Sequence, residues 1–288
     1  MAPDRSAPPD AEPYRVHAVR YATLETLRSA AFLGGDPSGG TIRLDYFVWT
    51  IEGNGRTFVV DTGFKAPVAE RRGRQWLRCP TEGLRALGID AAQVQELIVT
   101  HLHYDHAGNL DLFPRARLHL QEREMRFVTG RLMCFRHGSF SGLIEQEDVI
   151  TLVRSLFEGR IAYLDGHAEI APGLQLHRVG GHTPGLQVVR VWTERGWLVL
   201  ASDATHFYEN IAAERPFHAF VDLAEMFDGW RAVRALADSP EHIIPGHDAL
   251  VMRQYPAAPG LEGIAVRLDA EPAFSGMAAA AAASAPGH

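Results

Sequence analysis

The chain has 288 residues, 46% of them hydrophobic and 22% charged, ordinary values for a folded globular protein of one large domain or two small ones. Its 28 basic and 35 acidic side chains give a formal charge of −7, and no basic stripe points to nucleic acid as a partner. No run approaches the roughly 18 apolar residues of a membrane span, and the polar, proline-rich start (1–12) has no apolar core for a signal peptide, so a cytoplasmic protein is expected. The two cysteines, Cys79 and Cys134, lack Cys-x-x-Cys spacing and imply neither a disulfide framework nor a cysteine zinc site. The one short basic run, Arg71-Arg72-Gly73-Arg74 after Glu70, reads as a solvated loop. Fourteen histidines are many for this length, and metal ligation accounts for part of the excess.

Residues 1–13 read as a disordered N-terminal arm. Residues 14–21 alternate apolar and polar positions, as a half-buried strand does. Residues 23–40, ending in Gly34-Gly35-Asp36-Pro37-Ser38-Gly39-Gly40, read as a loop with glycine hinges that forms a rim over a site. Residues 44–51 and 57–60 read as two strands joined through Glu52-Gly53-Asn54-Gly55-Arg56, whose Asn-Gly pair is a hairpin signal. Asp61-Thr62-Gly63 closes the second strand and by itself marks only a turn. Residues 81–87 read as a helix with Thr81 as N-cap and Gly88 as its stop.

Leu97-Ile98-Val99 reads as a buried strand, and Thr100-His101-Leu102-His103-Tyr104-Asp105-His106 follows it. Four potential metal ligands, His101, His103, Asp105 and His106, thus fall within six residues where a strand gives way to a loop. Side chains alternate along an extended chain, so His101 and His103 point the same way. After the chain turns, Asp105 and His106 aim at a second point nearby. Imidazole suits zinc and carboxylate adds a harder oxygen, so two ligand sets suggest two metal ions.

Downstream, 117–120 reads as a strand and 121–128 as a helix. Residues 129–142, with Phe135, His137 and Phe140, are read with equal weight as a substrate-facing lobe or a surface loop. Short strands follow at 161–164, 174–179, 186–192 and 197–201, then an amphipathic helix over 222–237 and a last strand over 242–244. Residues 14–268 are expected to form the folded domain, and 269–288 read as an Ala-rich flexible tail, disordered or a fraying helix. Periodicity alone gives α/β or α+β.

His-x-His-x-Asp-His after an apolar strand resembles the signature of the metallo-β-lactamase superfamily of di-metal hydrolases, and the resemblance covers roughly residues 40–250. It implies an α+β fold, an αββα sandwich of two mixed sheets flanked by helices. It also implies that His182, in Gly180-Gly181-His182-Thr183-Pro184-Gly185, completes the first site with His101 and His103. His247, in Pro245-Gly246-His247-Asp248, completes the second with Asp105 and His106, and Asp203 bridges the two. Asp61 lies behind the metals and supports a ligand. The cofactors implied are two divalent ions, zinc foremost, with manganese, iron and cobalt open on the same ligands.

The local sequence is most similar to the N-acyl-homoserine lactonase and pyridoxolactonase branch. That similarity implies opening of a lactone ring by a metal-bridging hydroxide, with Asp105 orienting it or shuttling its proton. It also allows a homodimer, although no segment shows one. Hydrolysis of another lactone, a small ester, a thioester or a cyclic amide is the alternative. A non-catalytic binding module would usually lack ligands, and all seven are present here. One departure stands out. The family's tyrosine three residues after the bridging Asp is His206 here, in Asp203-Ala204-Thr205-His206-Phe207-Tyr208. His206 is expected to donate a hydrogen bond or protonate the leaving oxygen, with Tyr208 the other candidate for that role.

Overall fold

The computed structural model describes residues 6–8, 11–135 and 140–284. Among them thirteen strands occur in chain order. They are β1 (Arg15–Leu27), β2 (Thr41–Gly53), β3 (Arg56–Val60), β4 (Gln75–Trp76), β5 (Glu96–Ile98), β6 (Arg117–Gln121), β7 (Ile161–Leu164), β8 (His167–Ala171), β9 (Leu174–Arg178), β10 (Gln187–Thr193), β11 (Gly196–Ser202), β12 (Ile243–Pro245) and β13 (Ala265–Arg267). They form an eight-stranded sheet ordered β13-β1-β2-β3-β5-β6-β7, with β4 on β1, and a five-stranded sheet ordered β12-β11-β10-β9-β8. Both are mixed: β3, β5, β6 and β7 run parallel, as do β11 and β12, and the remaining pairs are antiparallel.

Three apolar layers hold this arrangement. Val16, Trp49, Phe58 and Ile98 from the larger sheet meet Leu176, Val189, Leu198 and Leu200 from the smaller one. The outer face of the larger sheet packs Val48, Val59, Leu97 and Leu118 under helices, including Leu84 of Pro80–Ala86 and Leu152 of Gln146–Phe157. The outer face of the smaller sheet lies under the helix Leu223–Leu236. That helix starts where Asp222 Oδ1 accepts the Glu225 amide at 2.9 Å, and it buries Met226, Trp230 and Val233, spaced as one helical face. The fold is therefore the expected αββα sandwich.

The Asn54-Gly55 turn has positive φ at both residues, 51° and 70°, as the short hairpin connection demands. Elsewhere the sequence reading needs correction. Residues 23–27 are not loop: β1 runs on to pair Leu27 with Thr41, and only 28–40 form the tip. That tip packs beside the chain after Asp203, with Phe32 against Phe207 and Arg28 donating to both oxygens of Glu209 at 2.8 Å. The helix predicted from Thr81 begins at Pro80 behind Cys79, because Glu82 accepts the Cys79 amide. The helix Gln146–Phe157 and strands β8 and β13 are additions to the predicted elements.

The described part of the N-terminal arm touches the body: Trp197 Nε1 donates to Ser6 O, and Asn54 exchanges hydrogen bonds with Glu12. In the Ala-rich tail, Gly276–Ser284 is a helix, and it rests on the helix Tyr208–Ala212 with Ala280 buried. Alanine is the strongest helix former, and a docking surface supplies what a solvated tail lacks. Within 129–142, Phe140 packs on the core and Phe135 is exposed, while His137 lies outside the described residues, as does His288.

Candidate metal centre

Every predicted ligand leaves a strand or turn at one edge of the sandwich. β5 ends at Ile98, and the chain stays extended through His101 to His103 before the short helix Tyr104–Ala107 turns Asp105 and His106 toward the same point. His182 stands on a turn that only glycines permit: Gly180 and Gly181 have φ of 70° and 84°, and a Cβ on Gly181 would lie 2.6 Å from the Met226 amide. Asp203 follows β11, and His247 follows β12. Gly246 leaves room for Asp203, since a Cβ there would come within 2.7 Å of Oδ1.

The seven side chains converge, all of them buried. His101 Nε2 lies 3.2 Å from both His103 Nδ1 and His182 Nε2. His247 Nε2 lies 3.7 Å, and His106 Nε2 3.9 Å, from Asp105 Oδ2. Asp203 faces both groups: Oδ1 is 3.2 Å from His106 Nε2 and 3.1 Å from His247 Nε2, and Oδ2 is 3.2 Å from His182 Nε2.

The outward nitrogens are held by the fold. His106 Nδ1 lies 2.7 Å from Asp61 Oδ2, and Asp61 also accepts the Thr100 amide and hydroxyl at 2.8 and 2.7 Å. His182 Nδ1 donates to Ala219 O at 2.5 Å and His247 Nδ1 to Asp45 O at 3.1 Å. These bonds set the tautomer, so in the neutral ring Nε2 of His182 and of His247 turns a lone pair inward. Two of the turns involved carry non-glycine residues at positive φ, Asp61 at 61° and Ser202 at 45°. Thr100 Oγ1 links them, bonding Asp61 and lying 2.9 Å from Ser202 Oγ.

Inward lone pairs 3.2 Å apart repel unless a cation lies between them. Ligands about 2.0–2.1 Å from a tetrahedral zinc ion are separated by about 3.3 Å, close to the spacing seen. His106 Nε2 and Asp203 Oδ1 are buried with no hydrogen-bond partner, as suits atoms that would hold a metal ion. The residues therefore fit a metal centre, and the chemistry of the set is N/O and divalent. Burial, assisted by the neighbouring imidazoles, holds His101 and His103 well below the ordinary histidine pKa. Burial also pulls His106 and His247 down, but Asp203, with Asp61 and Asp105 beside His106 and Asp105 beside His247, outweighs it and raises both.

Above the cluster is a cleft of about 160 Å³, lined by Leu44, Tyr46, Arg74, Tyr104, Leu143, His206 and several of the ligands. His206 is in place: Nε2 lies 2.9 Å from Asp203 Oδ2, and its ring stacks on Phe217 at 3.6 Å. Burial lowers its pKa to about 4 despite the Asp203 carboxylate beside it, which favours the neutral ring and, of the two expected roles, the hydrogen-bond donor. Tyr208 is not brought to the site. Its amide is captured by Asp248 Oδ2 at 3.0 Å, and its ring turns under the C-terminal helix against Gly276.

Sequence reasoning missed Glu124. This fully buried carboxylate accepts the Leu102 amide at 3.1 Å and the Gly185 amide at 2.7 Å, joining the segment that carries His101 and His103 to the turn that carries His182. Glu124→Ala leaves both amides buried and unpaired. We expect a destabilisation of roughly 2–5 kcal/mol, read by urea unfolding, with Glu124→Gln losing less. Equal losses for both variants would show that packing, not hydrogen bonding, holds the loops.

A mixed αββα sandwich with a histidine–aspartate cluster at one edge defines a class of metal-centred proteins. The profile of the metallo-beta-lactamase superfamily matches residues 42–247, and the chain belongs to that superfamily. It is similar to an N-acyl homoserine lactonase of Bacillus cereus, 28% identical over 138 residues, covering 48% of this chain and 49% of the relative. It is also similar to the N-acyl homoserine lactonase AttM of Azorhizobium caulinodans, 30% identical over 187 residues, covering 62% and 66%. The matched stretch thus spans about half the length of the Bacillus relative. Among solved structures, an N-acyl homoserine lactone hydrolase with N-hexanoyl-L-homoserine at its catalytic metal centre superposes with a TM-score of 0.69 at 21% identity, covering 83% of this chain and 95% of that one.

Proposed function

We propose that the protein is a metal-dependent hydrolase that opens a lactone ring, with N-acyl-homoserine lactones the first class to test and other lactones or small esters the second. The observation that carries this reading is the convergence of seven candidate ligand side chains, Asp203 among them, beneath a small cleft, in a chain whose relatives are named lactonases. In this reading His101, His103 and His182 hold one divalent ion and Asp105, His106 and His247 a second, with Asp203 between them and zinc the best match to the spacing. The ions, when bound, supply Lewis acidity and lower the pKa of water.

The chain's own residues do the rest. Asp61, Ala219 and Asp45 fix the imidazoles so that the ligand set needs little reorganisation on binding. Neutral His206 donates from Nε2, toward Asp203 in the free protein and toward a ring oxygen once substrate enters. Leu44, Leu143 and Ala219 present an apolar wall that displaces water around the ring. A cytoplasmic location belongs to the same reading. No helix among the described residues is long and apolar enough to cross a membrane. A homodimer rests on the resemblance alone.

The test is proton release by metal-loaded protein against acyl-homoserine lactones, plain γ- and δ-lactones, an aromatic fused lactone, a thioester and a β-lactam. Opening of one lactone group, abolished by chelation, is the expected result. Turnover of the thioester or β-lactam alone, or of nothing, would overturn the lactonase reading.

A further inference from the structure

The basic run Arg71-Arg72-Gly73-Arg74 is not one solvated patch. Arg71 and Arg72 pair with Glu145 at 2.8 and 2.9 Å, and Arg72 also lies over the Tyr104 ring at 4.0 Å. Gly73, at φ 63°, reverses the chain, and the Arg74 amide then donates to Ala69 O at 2.8 Å. This turn sends Arg74 the other way, into the lining of the cleft above the metal cluster.

There Arg74 has no carboxylate within 4.0 Å among the described residues, although its neighbours in the run both do. Nε donates to Tyr104 Oη at 3.1 Å and Nη1 to Arg72 O at 2.7 Å. A guanidinium carries about five N–H donors, so these two bonds fix its plane and leave about three unused. The only carboxylates lining the cleft with it are Asp105 and Asp203, which belong to the ligand cluster. Burial works against the Arg74 charge, but Tyr46, Tyr104 and Asp105 outweigh it and keep the group cationic. What its two hydrogen bonds leave open is the free edge of the fork, which an anionic group completes best. A neutral lactone does not; a carboxylate does, through charge-assisted hydrogen bonds to the free edge of the fork.

We infer that Arg74 is a specificity-determining residue that binds a carboxylate on the substrate, so that the preferred substrate is an acidic lactone. This rests on the lactone reading above and narrows it.

The experiment compares γ-butyrolactone-γ-carboxylate with its methyl ester, using metal-loaded full-length protein and proton release. The acid is expected to exceed the ester by about tenfold or more in kcat/KM, with the advantage in KM and eroded by salt. In Arg74→Met the ratio falls to about one, and Arg74→Lys retains part of it. Metal content and thermal unfolding of each variant establish that the cluster and fold survive, and Arg74→Gln substitutes should Arg74→Met fail to fold. Calorimetric binding of tetrahydrofuran-2-carboxylate, which has no ring ester to open, gives a readout independent of turnover. Its affinity should drop about tenfold in Arg74→Met at unchanged metal content. A wild-type ratio of one or less, or a ratio and an affinity untouched by the substitution, overturns the proposal. Loss of the lactone reading shows differently: no lactone, charged or neutral, is opened, while the calorimetric comparison still decides whether Arg74 binds a carboxylate.

Discussion

Asp203→Ala should strip the protein of metal and activity together. Its two oxygens face His106 and His247 on one side and His182 and His206 on the other, all within 3.2 Å. Asp203 is buried, and the histidines around it hold its carboxyl well below the ordinary range despite that burial. Removing it takes from four imidazoles the one carboxylate they share and leaves Asp61 and Asp105 as counter-charges for His106 and His247 alone. Supporting residues around metal sites are typically worth about 10–100-fold in affinity or activity, and a ligand shared by both groups should exceed that. We therefore expect kcat/KM for the best lactone to fall by more than about 100-fold, and bound metal after gel filtration to fall from near two per chain. His182→Ala should lose the metal of the first group preferentially. Full activity with either substitution would sink the two-metal assignment.

Chelation gives the second large effect, and its pH dependence is a stronger test than its size. The first histidine pair and Asp105–His106 leave the larger sheet, while His182, Asp203 and His247 leave the smaller one or its turns. Metal bound between them ties the two halves of the sandwich. At metal concentrations about 100-fold above Kd, each site contributes about 2.7 kcal/mol, which for a chain of this size is roughly 5–10 °C in Tm.

In the metal-free protein the histidines pull in opposite directions. His101, His103 and His206 have lowered pKa values, so they cost stability as pH falls below about 6.5, the unfolded value. His106 and His247 have raised values, so their contribution is complete below about 6.5 and is lost as pH rises through the folded value. Metal-free protein should thus be most stable near that point. Metal requires all the imidazoles neutral and must displace the protons on His106 and His247. The gap in Tm between loaded and metal-free protein should therefore widen from pH 6 to pH 9. A gap that stays constant or narrows would show that protons and metal do not compete at these residues.

The candidate ligands were legible because strand chemistry and ligand chemistry lie close together in the sequence: the apolar runs Leu97-Ile98-Val99 and Ile243-Ile244 are followed by His101 after one residue and by His247 after two. Their partners across the fold were not. Glu124 looks like any acidic residue in the first turn of a helix, and only the packing of Leu102 and Gly185 on that turn reveals its task. Arg74 looks like one more charge in a basic loop until Gly73 reverses the chain. His206 and Tyr208 could not be ranked by spacing, since capture of the Tyr208 amide by Asp248, 40 residues away, decides which side chain faces the cleft. The helix Gln146–Phe157 does carry a signal in the sequence, with Val149, Leu152, Val153 and Leu156 on one face.

The left-handed backbone at Asp61 and Ser202 has a consequence for anyone who would make this protein sturdier. Ser202→Gly relaxes a conformation that costs on the order of 1 kcal/mol and should raise the melting temperature, so a search for hardier variants would select it early. It also removes the hydroxyl that meets Thr100 and frees the peptide on which Asp203 is mounted. Thermostability and turnover would then part company at that one position, and a screen scored on heat resistance alone would enrich for proteins that survive without working.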